Sequence, residues 1–179
     1  RYQELLRSGA PVVSTGVSTA GTLVRVRVLA VGNKMPVWVE QGVAEYSRRM
    51  PREISVEWLD LPLAKRGTGS ADSYRKQEAE FIQSKLNQDE DLIALDVQGQ
   101  AVSTEKIADR LADWQMRGRR VCLVIGGPDG LHQSLLSMAS ERWSFGRMTL
   151  PHTLIRVILA EQLYRAWSLQ SGHPYHRAT

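Results

Sequence analysis

Near the end of the chain, His173-Pro174-Tyr175-His176-Arg177 gathers two imidazoles, a phenol and a guanidinium into five residues. Imidazole is the side chain that exchanges a proton near neutral pH, guanidinium suits phosphate, and a phenol ring suits stacking on a base. Such density is unusual for a frayed terminus. A metal held by His173 and His176 is not expected, because no cysteine or clustered carboxylate stands nearby as a third ligand.

A second group of residues points to a bound small molecule. The run Gly126-Gly127-Pro128-Asp129-Gly130 follows an apolar strand, yet it matches neither G-x-G-x-x-G nor the P-loop. Pro128 removes a backbone donor where a phosphate cradle needs one, so an adenosine-bearing cofactor without phosphates fits better, with Gly126 and Gly127 allowing close backbone approach. A tight strand-to-helix turn is the plain alternative. Asp96, at the end of another apolar run, could bind a ribose, orient a cofactor, act as a base, or simply cap a turn. Asp129 is either a helix-start residue or a ligand-facing acid. Gly146-Arg147-Met148-Thr149-Leu150-Pro151 reads as a strand ending in a turn. There Thr149 and backbone groups could meet an adenine edge and Met148 or Leu150 supply an apolar wall; an ordinary edge strand is the alternative. Among the basic residues, Lys65 and Arg66, in the loop Ala64 to Ser70, are best placed to touch a nucleic-acid backbone.

The elements that must position these residues alternate between two periods. β-Branched or apolar runs predict strands at Val24–Val31, Ile54–Leu61, Leu92–Val97, Val121–Ile125 and, strand-like, Trp143–Leu150. Helical spacing falls between them. Val39, Val43, Tyr46 and Met50 form one face behind Pro36, and Ala79, Ile82 and Leu86 another behind Asp72 as a cap. Ile107, Leu111 and Trp114 lie between Ser103 and Gly118, and Leu131, Leu135 and Met138 make a short turn. A long helix runs from about Leu154 to Gln170. Its apolar side, with Leu154, Ile155, Ile158, Leu159, Leu163 and Trp167, is wider than a monomer helix needs, so a second chain is expected to cover the surplus. The fold class is therefore α/β, a mainly parallel sheet with helices on both faces. Ligands in such sheets bind outside the carboxyl ends of the strands. That rule brings Leu95-Asp96, Gly126–Gly130 and Gly146–Pro151 together as pocket walls.

Composition narrows the class. The 179 residues are 42% hydrophobic and 23% charged, which excludes a disordered or fibrous chain. Residues 1–22, small, polar and aperiodic, read as a loose extension, leaving one folded domain over 23–179. Lys and Arg number 23 against 19 Asp and Glu, a modest excess of +4 that favours an anionic partner without naming one. One cysteine, Cys122, excludes an intrachain disulfide and suits a reducing compartment. No apolar run approaches the ~20 residues that span a bilayer, and the N-terminus lacks a signal-peptide core, so a cytoplasmic protein without a membrane partner is expected.

With these residues in hand, the chain resembles the bacterial ribosomal RNA large subunit methyltransferase H family. The resemblance rests on Val28-Leu29-Ala30-Val31-Gly32-Asn33-Lys34-Met35-Pro36, Lys65-Arg66-Gly67, Leu95-Asp96, Ile125 to Gly130, Thr149-Leu150-Pro151-His152 and His173 to Arg177, six motifs in order from about Val24 to Arg177. It implies the SPOUT class of methyltransferase, with a C-terminal deep trefoil knot, and a homodimer. It further implies S-adenosylmethionine held in the knot against Leu95, Gly127 and Gly146–Pro151. The reaction implied is methylation of N3 of the pseudouridine at position 1915 (reference rRNA numbering) in helix 69 of 23S rRNA, on the assembled ribosome. No metal is required. His176 or His173 is then expected as proton acceptor, Arg177 as the group that holds phosphate or stabilises negative charge, and Tyr175 as the ring that stacks on or orients the uracil. A non-catalytic ribosome-binding factor would share the basic loop and tail. A dinucleotide-dependent oxidoreductase would need the glycine fingerprint that is missing.

Overall fold

A computed structural model describes residues 23–177. The extension expected over residues 1–22 lies outside the described residues. The order of elements is β1 (Val24–Val31), α1 (Val37–Ser47), β2 (Ile54–Leu61), α2 (Ala71–Gln83), β3 (Glu90–Ala101), α3 (Thr104–Arg117), β4 (Arg120–Ile125), α4 (Gln133–Met138), β5 (Glu141–Ser144), α5 (His152–Ser171) and a closing 3₁₀ turn, Pro174–Arg177. The strands pair in parallel in the order β2-β1-β4-β3-β5. The α/β class read from the alternation is the class observed.

Two cores explain why Val28–Val31 of β1 and Val121–Ile125 of β4 are apolar on both faces. Val24, Val26, Val28 and Ala30 of β1, with Val121, Leu123 and Ile125 of β4, pack under Ile107, Leu111 and Trp114 of α3 and Leu159 and Leu163 of α5. Leu29, Val31, Cys122 and Val124 face the other way, onto Ala79 and Ile82 of α2 and Leu135 of α4. Each fully buried large apolar side chain contributes about 1.5–3 kcal/mol. Trp114 stacks on Trp143 of β5 at 6.1 Å, which ties α3 to the sheet edge.

Local signals set the element ends. Ser103 caps α3, its side chain accepting from the Lys106 N–H at 3.1 Å, and Gly118 closes that helix at φ +61. For α2 the expected cap is corrected: Ser70 accepts from the Ser73 N–H at 3.1 Å, and Asp72 lies inside the first turn. The strand expected at Trp143–Leu150 is also corrected. β5 stops at Ser144, because the Ser144 hydroxyl folds back onto the Gly146 carbonyl at 3.0 Å and Gly146 takes φ +126, a conformation that suits glycine and no strand. Residues 145–151 cross instead as a loop.

β3 runs past its expected end to Ala101. Its pairing with β5 jumps from Leu95 to Gln100, both opposite Trp143. The unpaired residues between them push Asp96 and Val97 out at the strand's carboxyl side. At the opposite end of the site, Arg156 of α5 is buried and donates to the Val31 and Gly32 carbonyls at 3.1 and 2.6 Å while pairing with Asp60, so α5 is fixed to the carboxyl ends of β1 and β2. Among the described residues no helix is long and apolar enough to cross a membrane.

Candidate functional site

Beyond the carboxyl ends of β3, β4 and β5 lies a cavity of about 570 Å³, walled by residues from three separated stretches: Leu95 to Val97, Ile125 to Leu131, and Trp143 to His152 apart from Arg147, with Ile155 of α5 behind them. Leu95, Asp96, Gly126, Gly127, Gly146, Met148, Thr149, Leu150 and Pro151 therefore converge as the strand-end rule predicts. Arg147 does not line the cavity.

The glycines serve the protein's own packing. A Cβ on Gly126 would stand 2.7 Å from the Gly130 carbonyl carbon, so only glycine lets the loop close on itself through the Gly130 N–H to Gly127 carbonyl bond of 3.0 Å. A Cβ on Gly127 would meet Glu78 Oε2 at 3.1 Å, Leu63 at 3.1 Å and Val31 at 3.2 Å. The side of Gly127 that lacks a side chain faces these three residues.

Both acids of the wall are already engaged. Asp96 accepts from Arg142 of β5, Nε at 3.1 Å and Nη2 at 2.5 Å. Asp129 pairs with Arg66, whose second Nη lies 3.3 Å from the buried Glu78. Lys65 stays exposed. Sequence reasoning missed three contributors. Arg142 had no periodic signal. Glu78 stands four residues before Ile82, on the buried face of α2, and a lone carboxylate there is such a signal. His152 belonged to a motif but was given no role. It lines the cavity at the first residue of α5, and burial, with the Arg156 cation adding to it, lowers its pKa from the ordinary value, so the ring is neutral at pH 7.

The tail is ordered on the far half of α5. The Tyr175 hydroxyl donates to Glu161 Oε1 at 3.1 Å, its ring lies 4.7 Å from that of Tyr164, and the Arg165 guanidinium sits over it at 4.8 Å. Burial, followed by hydrogen bonds with Tyr46 and Glu161, pushes the phenol's pKa up, so Tyr175 stays neutral. His173 packs on Trp167 at 5.6 Å. None of His173, Tyr175, His176 and Arg177 lines the cavity of its own chain. Glu161 lies nine residues along α5 from His152, roughly 13 Å at ~1.5 Å per residue. The structure thus joins the three wall stretches and keeps the tail apart from them.

A family model described as "Predicted SPOUT methyltransferase" matches residues 24–176. The protein named Ribosomal RNA large subunit methyltransferase H from Chromohalobacter salexigens is 51% identical over 155 residues, covering 86% of this chain and 99% of that protein. Its namesake from Teredinibacter turnerae is 48% identical over 157 residues with the same coverage. That from Acidithiobacillus ferrooxidans is 51% identical over 154 residues, covering 86% and 97%.

Proposed function

The chain belongs to the SPOUT methyltransferase family and, within it, to the ribosomal RNA large subunit methyltransferase H family, and we propose that it methylates N3 of the pseudouridine at position 1915 in helix 69 of 23S rRNA. The observation that carries this reading is the convergence of Leu95-Asp96, Gly126–Gly130 and Met148–Pro151 on one cavity in a chain of that family. When bound, S-adenosylmethionine supplies a methyl group activated by a sulfonium. The cavity suits such a cofactor. Its volume falls in the range of small-molecule sites, its walls include Leu95, Leu150 and Ile155, and the proline in its glycine loop argues against a phosphate cradle. Leu95, Asp96, Gly126, Gly127, Gly146 and Met148–Pro151 would hold it, with Arg147 beside this wall. The reading includes the trefoil knot of the class, threaded by the C-terminal part of the chain.

An imide nitrogen is a poor nucleophile until its proton leaves, so positioning and proton removal are the work left to the protein. His176 is better suited to that than His173. Its Nδ1 stands 2.5 Å from the His173 carbonyl, which can only accept, so Nδ1 carries the hydrogen and Nε2 keeps a free lone pair. In His173, Nδ1 is taken by the Tyr175 N–H at 3.3 Å. His176 Nε2 accepts the N3 proton, Arg177 stabilises the developing anion or holds a phosphate, and Tyr175, through Glu161 and Arg165, fixes the tail that orients the uracil.

Because the tail stands away from its own cavity, it serves the cavity of a second copy in a homodimer. Two further observations support the dimer. Val37 and Trp38 at the start of α1 are exposed, and Leu154, Ile155 and Ile158 on α5 are only half-buried. Lys65, with the exposed edge of Arg66, meets the RNA backbone. The place of work is then the cytoplasm, on the assembled ribosome. Ribosomes lacking their own modification, incubated with the protein and labelled S-adenosylmethionine, test the reading. Label on N3 of that pseudouridine supports it. Label elsewhere, or ribosome binding without transfer, overturns it.

A further inference from the structure

The loop between β2 and α2 is held from outside itself at three points. The Ala64 N–H donates to Glu78 Oε1 at 3.0 Å, and the Gly67 N–H donates to the Tyr74 hydroxyl at 2.8 Å. The Arg66 guanidinium lies 4.6 Å over the Tyr74 ring while it pairs with both Glu78 and Asp129. Tyr74 and Glu78 are four residues apart on α2, so one helix face carries all the anchors on that side. Asp129 is a cavity-wall residue. Arg66 therefore connects an exposed basic loop to the wall of the cavity without lining the cavity.

Glu78 makes this connection more than a surface ion pair. The residue is 2% exposed, and its Oε2 has no hydrogen-bond partner. Burial raises its pKa, Ala64 and Arg66 oppose that, and Asp129 adds to it. An acid kept in such a place without full compensation costs stability. What it fixes is the Arg66 head, clamped between two carboxylates and an aromatic face. A lysine ammonium, with its point charge and no plane, cannot meet all three.

We infer that Arg66, anchored by Glu78, is a positioning residue for the cofactor: by holding Asp129 it keeps the Gly126–Gly130 loop in the shape that receives S-adenosylmethionine. The inference rests on the cavity being the methyl-donor site and adds to Arg66 a task separate from RNA contact. The two tasks predict different measurements. An RNA cation alters the KM for ribosomes and leaves cofactor affinity alone. A positioning residue alters cofactor affinity with no RNA present.

The test is calorimetric titration of S-adenosylhomocysteine into the wild-type protein and the variants Arg66→Lys, Asp129→Asn, the double variant and Lys65→Ala, with ribosome KM measured in parallel. Arg66→Lys and Asp129→Asn are each expected to weaken S-adenosylhomocysteine by about 5-fold or more, within the range of coupling through a packed network. The double variant should be no weaker than the worse single one, because both act through one contact. Lys65→Ala should raise ribosome KM at unchanged S-adenosylhomocysteine affinity. Arg66 lies at the surface, so Arg66→Lys should fold, and thermal unfolding checks that. An Arg66→Lys affinity within twofold of wild type, with ribosome KM raised, would overturn the inference and leave Arg66 an RNA contact. Failure of the wild-type protein to bind S-adenosylhomocysteine would instead overturn the cofactor reading itself.

Discussion

The Arg142 guanidinium closes on the Asp96 carboxylate from the neighbouring strand, with Nε at 3.1 Å and Nη2 at 2.5 Å. Asp96 is the first residue past the register break between Leu95 and Gln100, so the pair fastens the bulge of β3 to β5 at the mouth of the cavity. Asp96→Ala should lower the unfolding free energy by about 1 kcal/mol, a value that allows for the solvent reaching Arg142. Urea denaturation checks this. The same variant should bind S-adenosylhomocysteine more weakly in calorimetry, because the bulge that forms part of the wall is no longer held.

The glycine loop gives a sharper contrast. Gly126→Ala places a methyl 2.7 Å from the Gly130 carbonyl carbon and should cost about 1–3 kcal/mol, as overpacking does. Its effect on S-adenosylhomocysteine binding should be about tenfold or more, since the loop cannot close. Gly146→Ala meets no atom within 4 Å, so its penalty comes only from φ +126, about 1–3 kcal/mol. Urea denaturation of the two variants, compared with calorimetry on each, separates loop closure from backbone strain.

Mixed dimers test where the tail works. A protein carrying Thr149→Trp has a bulky ring on an exposed part of the cavity wall, and one carrying His176→Ala lacks the proposed proton acceptor. Each should lose about 100-fold or more in single-turnover methylation. If the tail crosses to the partner, co-refolded mixtures regain one complete site per mixed dimer and activity returns. Mixtures as inactive as their parents would mean that cavity and tail of the same chain act together.

A pH series reads the histidine of the cavity wall. His152 has a pKa lowered from 6.5, chiefly by burial and then by Arg156, so the unfolded chain takes up this proton first as the pH falls. Its contribution is therefore complete above about pH 6.5 and is lost as the pH drops through the folded-state value. His152→Gln should flatten the stability profile on the acid side of neutrality. An unchanged slope in urea titrations between about pH 5 and about pH 7, limits that bracket the ordinary imidazole value, would contradict this.

Much of this arrangement was legible in the sequence. The apolar runs Leu92–Val97 and Val121–Ile125 suit strands covered on both faces, and that placed the three wall stretches at one end of the sheet. What could not be read were relations across the chain. Phe145 to Leu150 has strand-like residues, and only the turn between Ser144 and Gly146 stops the strand. The space beside Gly127 is bounded by Glu78, Leu63 and Val31, all at least 49 positions earlier (127 less 78), so the tight fit is not legible from local sequence. The pairing of Arg66 with Asp129 spans 63 residues and depends on how α2 seats beside β4. The separation of the tail from its own cavity follows from the length of α5.

Cys122 offers a control on the core itself. The thiol is fully buried between the sheet and α2, and burial pushes its pKa up to about 12. Iodoacetamide at pH 8 should leave the native protein unlabelled and label the unfolded protein quantitatively. Rapid native labelling would show that this side of the sheet opens.

The most direct test of the central claim is a crystal structure of the protein grown with S-adenosylmethionine. The cofactor should lie between Gly126–Gly130 and Met148–Pro151, against Leu95, with the tail of a second copy reaching toward its methyl group. Cofactor bound elsewhere on the chain, or a cavity left empty at saturating cofactor, would contradict it.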